Sequence, residues 1–421
     1  MTSVVSLSDA TRVWAKIGLL SFGGPAAQIA LMHREVVHER AWLSEQQFLN
    51  ATGFCMLLPG PEAMQIATYA GWRMHGVLGG IIAGCLFVLP GATVIMALAA
   101  MYAALGAVPL VQALFVGVQA AVIAVVLKAL WGLIGRALLG PLHYVLAVFG
   151  FLALFALGMP FPLVIGIAAA LGALMVRADM GSDPVALPAR TGTFGTIILW
   201  LALWAAPLVA LWIAAPNGML LQIGMFFSKL AVVTFGGAYA VLAYMAQEVV
   251  TGFGWLSAQQ MMDGLGLAET TPGPLILVTQ FVGFTAAAGQ GGWGMAVGAA
   301  LLTLWVTFIP CFLWIFAAAP YVEWIATQPR LKGALQGITA AVVGVIANLS
   351  IWFAMHVIFA RVEQVDWGGL TPWVPHLSSL NPSALVLAVI SAGLLFRLHW
   401  SLPKVLGAAA VLALGLHLIT G

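Results

Sequence analysis

The sequence predicts an all-α integral membrane protein with about thirteen net transmembrane crossings, arranged as two inverted-topology repeats with interrupted helices. Three observations carry that prediction: an apolar composition, apolar residues gathered into long runs, and an internal repeat at a fixed offset. Of 421 residues, 63% are hydrophobic and 7% are charged. A soluble domain carries about 25% charged residues. The mean hydropathy of +1.08 agrees. The runs 81–104, 108–133, 144–157, 161–176, 196–215, 295–319, 334–359, 384–395 and 405–419 hold almost no charge. Several reach the ~20 residues needed to span ~30 Å of hydrocarbon. Their amides must bond within their own segment, which makes them helices. The runs are continuous and do not alternate, against a β-barrel. The net charge of +2 is too small to suggest nucleic acid or a polybasic membrane patch. Cys55, Cys85 and Cys311 are odd in number and lack CxxC spacing, which argues against a disulfide framework or a zinc site. The first ten residues lack the order of a cleaved signal peptide.

The repeat is an ordered series of matches. Lys16 and Ser21-Phe22-Gly23-Gly24-Pro25 recur 213 positions later as Lys229 and Thr234-Phe235-Gly236-Gly237-Ala238. At that offset 42–47 matches 255–260, Glu35 falls on Glu248, Asn50 on Asp263, and Pro59-Gly60-Pro61 on Pro272-Gly273-Pro274. After a seven-residue insertion the offset is 220, pairing Pro90 with Pro310 and 117–122 with 337–342. The chain divides into a first repeat, 1–176; a polar cytoplasmic linker with a connecting transmembrane helix, 177–215; and an inverted second repeat, 216–421.

Arginine and lysine orient the spans. With Arg12, Lys16, Arg73, Lys128, Arg136, Arg177, Arg190, Arg330, Lys332, Arg397 and Lys404 in the cytoplasm, the crossings alternate: six in the first half, one at 196–215, six in the second. The N-terminus is then cytoplasmic and the C-terminus periplasmic. Arg34, Arg40 and Arg361 are misfits, landing outside beside Glu35, Glu39, Glu363 and Asp366.

Polar chemistry gathers at two interruptions per half. Phe-Gly-Gly (22–24 and 235–237) lets the backbone open or another helix approach. Pro-Gly-Pro (59–61 and 272–274) ends one helix, and its second proline starts another. The flanking segments are about half a span long, which puts the break near mid-bilayer, and the sequence leaves open whether each Pro-Gly-Pro segment crosses fully or returns as a re-entrant hairpin. A helix N-terminus carries unbonded N–H groups and about half a positive charge, a ready anion site. Inversion brings the four breaks together. Lys16 and Lys229 supply cations; Ser21, Thr234, Thr270, Thr271 and Gln65 supply donors. The predicted substrate site is Lys16, Ser21, Phe22, Gly23, Gly24, Pro59, Gly60, Pro61, Gln65, Lys229, Thr234, Phe235, Gly236, Gly237, Thr270, Thr271, Pro272, Gly273 and Pro274. Glu35, Glu62, Glu248 and Glu269 are coupling or gating candidates. Blander readings stand beside these: glycine pairs as packing contacts, Lys16 snorkelling to the interface, and Glu62 as a helix-start acid. His75, His143, His356 and His417 lack metal-ligand spacing, so no metal is expected. No nucleotide or dinucleotide fingerprint or GxSxG motif occurs, so neither an enzyme nor a cofactor is expected.

Three stretches, 16–25, 33–48 and 58–69, closely resemble the chromate ion transporter family, as do Thr-Phe-Gly-Gly-Ala-Tyr (234–239) and Ala-Glu-Thr-Thr-Pro-Gly-Pro-Leu-Ile (268–276). The resemblance covers nearly the whole chain, in the long two-domain form. It implies a secondary transporter of the bacterial inner membrane that exports chromate and confers chromate resistance, with sulfate as a competing oxyanion. The residues themselves indicate a small anion. Sulfate uptake or exchange and an anion channel are the alternatives. Partners are the oxyanion and the lipid bilayer, without nucleic acid; a homodimer is compatible with the sequence. Ala238 departs from the first-half Pro25.

Overall fold

The computed structural model describes residues 5–175, 193–235, 237–322, 324 and 328–420. The linker arginines Arg177 and Arg190, and Gly236, lie outside the described residues. The helices are α1 (Leu7–Leu20), α2 (Gly24–His33), α3 (Glu45–Cys55), α4 (Glu62–Leu105), α5 (Pro109–Ala137), α6 (Pro141–Phe155), α7 (Phe161–Met175) and α8 (Thr193–Ala214). They continue as α9 (Met219–Val233), α10 (Ala238–Gln247), α11 (Ala258–Thr270), α12 (Val278–Ala318), α13 (Pro329–Ile358), α14 (Pro382–Ala392) and α15 (Leu402–Thr420). Among the described residues six helical segments are long and apolar enough to cross a membrane: Glu62–Leu105, Pro109–Ala137, Thr193–Ala214, Leu275–Tyr321, Pro329–Ile358 and Leu402–Ile419. The molecule is a multi-pass helical membrane protein. The sequence did not foretell a small antiparallel ribbon, in which β1 (Val362–Gln364) pairs with β2 (Trp373–Pro375).

The two sequence repeats share their local backbone. Positive φ angles recur in pairs: Gly24 (+81°) and Gly237 (+96°), Ala41 (+51°) and Gly254 (+63°), Gly60 (+124°) and Gly273 (+85°), Gly76 (+64°) and Gly292 (+71°). A wide helical turn follows α2 at Arg34–His38 and follows α10 at Glu248–Gly252. Ser44 and Gln47 cap α3 reciprocally, and Ser257 and Gln260 do the same for α11. Each such cap satisfies orphan N–H groups of the first turn.

The chain forms two compact units, and each takes segments from both repeats. The first holds the described residues within Met1–Ala100, Asp179–Ala238 and Thr271–Gln328. The second holds those within Met101–Ala178, Tyr239–Thr270 and Pro329–Gly421.

In the first unit the chain doubles back on itself. Lys16 Nζ lies 2.6 Å from Glu35 Oε1. A straight helical path over those nineteen residues would part them by about 28 Å, so α1 and α2 are not collinear halves of one crossing. The rings of Phe54 and Tyr69, on either side of Pro-Gly-Pro, are 6.1 Å apart. That contact requires a sharp turn there as well. Inside α4 the backbone leaves helical values at His75 and Gly76. Gly71 and Gly79 then face each other so closely that a Cβ on either would collide with the other's carbonyl. Inside α12 the break is at Gly292, and Gly283 packs against Thr303. Both long elements are therefore helical hairpins, with limbs 62–74 and 77–105, and 278–291 and 293–318. The expectation that each Phe-Gly-Gly segment is one interrupted crossing fails in this unit for α1 and α2, because the chain reverses at the glycines.

The second unit packs α13 against α6 and α7 through small residues. Gly150 sits on the Ala341 carbonyl, Gly344 on that of Ala147, and Gly172 on that of Gly333. Such contacts let helix backbones approach in lipid, where side-chain hydrophobicity gives no driving force.

Candidate functional site

The reversals in the first unit bring the interruptions of both repeats together. Gly60 donates its backbone N–H to the Thr234 carbonyl at 2.9 Å, and Gly273 donates to the Ser21 carbonyl at 2.8 Å. These bonds are related by the repeat offset: each Pro-Gly-Pro glycine reaches the residue that precedes Phe-Gly-Gly in the other repeat. Proline on both sides leaves the glycine N–H as the donor of each turn. The Gln28 amide joins the junction, Nε2 donating to the Gly273 carbonyl at 2.6 Å and the Ser21 carbonyl at 3.3 Å. Gln65 Nε2 donates to the Pro59 carbonyl at 2.7 Å.

A cavity of about 10 Å³ lies here, lined by Pro25, Gln28, Pro61, Glu62, Ala63, Gly237, Ala238, Pro274, Leu275 and Ile276. These residues are the first turns of α2, the first limb of α4, α10 and the short helix leading into α12. Four helix starts therefore converge, each with unbonded N–H groups and the positive end of its dipole. The volume holds about one water. In this conformation the site is shut to anything larger.

Several sequence-predicted residues take other roles. Ser21 and Thr234 are buried, but their hydroxyls donate to carbonyls one turn back, Ile17 at 2.6 Å and Leu230 at 2.5 Å. Their protons are spent within their own helices, and it is their carbonyls that serve the junction. Thr270 likewise donates to Leu267; Thr271 is buried. The Pro272 carbonyl packs against Gly91. Lys16 does not line the cavity. It and Arg40 clasp the fully buried carboxylate of Glu35, each at 2.6 Å. Burial pushes that carboxyl up, but the Lys16 hydrogen bond and the Lys16 and Arg40 charges outweigh it and hold the group below its ordinary range. Lys229 is exposed on α9 and Phe22 is exposed after α1; Phe235 is half-buried. Of the gating candidates, only Glu62 lines this cavity.

The second unit holds the other two. Glu269, buried near the end of α11, accepts a hydrogen bond from the Tyr239 hydroxyl at 2.6 Å. Glu248 lines a larger cavity, about 500 Å³, with Leu157, Gly158, Thr251, Gln364 and Trp373. Sequence reasoning missed a third carboxylate. Asp263 is buried on α11, where Tyr102 and Gln119 donate to it at 2.8 and 2.7 Å. Its sequence signals are a lone acid in the apolar stretch 261–267 and its repeat pairing with Asn50. Gln28 was missed for the same reason, as a single amide among 26–32.

The chromate transporter family model matches this chain in two parts, 9–173 and 221–415. The chain belongs to the chromate transporter family. Among relatives, a chromate transport protein of Pseudomonas aeruginosa is 33% identical over 95% of this chain and 89% of its own. A probable chromate transport protein of Synechococcus elongatus is 32% identical over 82% and 83%. A chromate transport protein of Cupriavidus metallidurans is 28% identical over 97% and 93%. No solved structure matches the chain. Both family matches contain a Phe-Gly-Gly and a Pro-Gly-Pro element, so the junction is built from the matched regions.

Proposed function

We propose that this member of the chromate transporter family is a secondary transporter that carries chromate outwards across the bacterial inner membrane, giving chromate resistance. The observation that supports it most is the reciprocal pair Gly60–Thr234 and Gly273–Ser21, set where four helix starts converge. Each glycine N–H is now satisfied by a carbonyl. When the helix starts part, both N–H groups and the helix ends become available to a tetrahedral dianion, which replaces the carbonyls as acceptor. Gln28 and Gln65 add amide donors, and Glu62 at the rim must be neutral or paired when the anion is seated. A cavity of about 10 Å³ favours alternating access over an open channel. Voltage alone makes export downhill: a dianion moving out of a negative interior releases about 4.6 kcal/mol per 100 mV, at about 2.3 per charge, so proton coupling modulates export and is not required to drive it. Asp263 and Glu269, hydrogen-bonded only to neutral donors among the described residues, are the proton-coupling candidates.

Purified protein in proteoliposomes with clamped voltage tests this reading. Labelled chromate should leave the negative compartment at carrier rates, and unlabelled sulfate should compete. Obligatory accumulation of sulfate with no chromate flux would replace export by uptake. Asp263→Asn should flatten the pH dependence of flux while leaving voltage-driven efflux.

We infer nine crossings in place of thirteen. The four segments that contain the interruptions enter and return, leaving the second limb of α4, α5, α8, the second limb of α12, α13 and α15 to cross, together with the shorter apolar helices α6, α7 and α14. The parity is unchanged, so the second repeat remains inverted, with the N-terminus inside and the C-terminus outside. Arg34 and Arg40 now fall in the cytoplasm, which removes two misfits with the positive-inside rule. The larger cavity supports the same reading, since it groups Glu248–Gly252 with Gly158 and the β-ribbon, which both readings put outside. In a cysteine-free background, Arg34→Cys should react with an impermeant thiol reagent only from the cytoplasm, and Thr251→Cys only from the periplasm. Thirteen crossings require the opposite on both counts.

A further inference from the structure

We propose a divalent transition-metal site formed by His33, His38 and Glu45, separate from the oxyanion junction. The three ligating atoms lie within 4.8 Å of one another. His33 Nε2 and Glu45 Oε2 are 2.8 Å apart, and the His33 and His38 rings meet edge to face at 4.6 Å. Zinc bonds of about 2.0–2.1 Å to nitrogen and oxygen in a tetrahedron set ligand atoms about 3.3 Å apart. The present spacing brackets that value, so an ion enters by small side-chain rotations.

The backbone builds this cluster. Five residues along an α-helix advance about 500°, which leaves two side chains about 140° apart. The wide turn Arg34–His38, closed by the Glu39 N–H to the Arg34 carbonyl, brings His38 round to the face of His33. Such turns cluster at functional sites. Glu45 is fixed as the first residue of α3 by the Ser44–Gln47 capping box. Phe48, one turn further, packs on the His33 ring at 5.0 Å and orients it. Arg34 and Arg40 stand on the same turn, and Glu39 pairs with both, offsetting their repulsion of an ion. The second repeat keeps the wide turn but has Ala246, Thr251 and Ala258 at these positions, so the site belongs to one half only. Two imidazoles and one carboxylate with an open fourth position suit zinc, nickel or cobalt. A bound ion would tie the end of α2 to the start of α3 across the loop that carries Arg40.

The test uses the full chain, purified in detergent with a histidine-free tag. Zn²⁺ titration calorimetry should show one saturable site per chain, and Co²⁺ should give the absorption bands of a tetrahedral ion. His38→Ala and Glu45→Gln, both exposed positions, should each weaken binding more than the ten- to hundredfold typical of losing a residue that only supports a ligand. His376→Ala, which alters another histidine–glutamate pair, should leave binding intact. Absence of saturable binding in wild type, or wild-type affinity in His38→Ala and Glu45→Gln, overturns the proposal; so does loss of the site in His376→Ala.

Discussion

Chromate flux should fall at least tenfold when Gly91 is replaced by alanine or Gly60 by alanine, with each protein still reaching the membrane. A Cβ at Gly91 would collide with the Pro272 carbonyl oxygen and meet the Leu277 side chain. The obstacle is backbone, so one of the two segments must shift. Overpacking of this kind costs about 1–3 kcal/mol, within what a large membrane protein tolerates. Its effect on the junction is larger, because the Pro-Gly-Pro turn that sets Gly273 against Ser21 is the part displaced. In catalysed reactions a misplacement of about 1 Å costs about a hundredfold, and an anion held by fixed N–H groups has the same geometric demand. Gly60 adds backbone strain, since its φ of +124° is closed to residues with a side chain. A Cβ there would lie 2.8 Å from Gln65 Nε2 and 3.0 Å from Cys311 Sγ. Gly298→Ala, into open space on α12, should transport as wild type. Normal flux in Gly91→Ala with normal membrane levels would remove the close-packed junction from the mechanism.

The backbone breaks within each repeat were legible in the sequence, because proline restricts the chain and glycine opens turns closed to other residues. Gly60 and Gly273 had to turn, and they do. The direction of the chain was not legible. Hydropathy counts apolar residues and is blind to reversal, so two half-helices of ten to fifteen residues read as one span. The sequence trace of the reversal is the pair Arg34 and Arg40, which a thirteen-crossing scheme leaves as misfits with the positive-inside rule. The hydroxyl roles were illegible for a local reason. A serine or threonine in a helix can satisfy itself on the carbonyl one turn back, as Ser21 and Thr234 do, and sequence does not distinguish that from donation to a ligand. Asp263 was hidden because its donors, Tyr102 and Gln119, stand 161 and 144 residues away along the chain.

Lys16 separates two accounts of how the first half works, and a set of charge variants distinguishes them. If Lys16 were a ligand for the anion, its removal would stop transport whatever happened to Glu35. The structure instead makes it one of two cations on a carboxylate with no exposed surface, Arg40 being the other, with the lysine side chain 46% exposed. Lys16→Ala alone leaves Arg40 in place, and a moderate loss of stability and flux is expected. Lys16→Ala with Arg40→Ala strands the Glu35 carboxylate, at a cost below the about 3–5 kcal/mol of breaking a fully buried pair, because water reaches both cations. Adding Glu35→Gln removes the stranded charge. The triple variant should therefore melt at a higher temperature than the double one in detergent, a reversal that no simple sum of losses gives. The informative comparison is flux through Lys16→Ala/Glu35→Gln. If the pair braces α1 against α2, that double variant should recover more flux than Lys16→Ala alone. If it stays silent while its melting temperature recovers, the lysine touches the anion after all, and the bracing role assigned here is wrong.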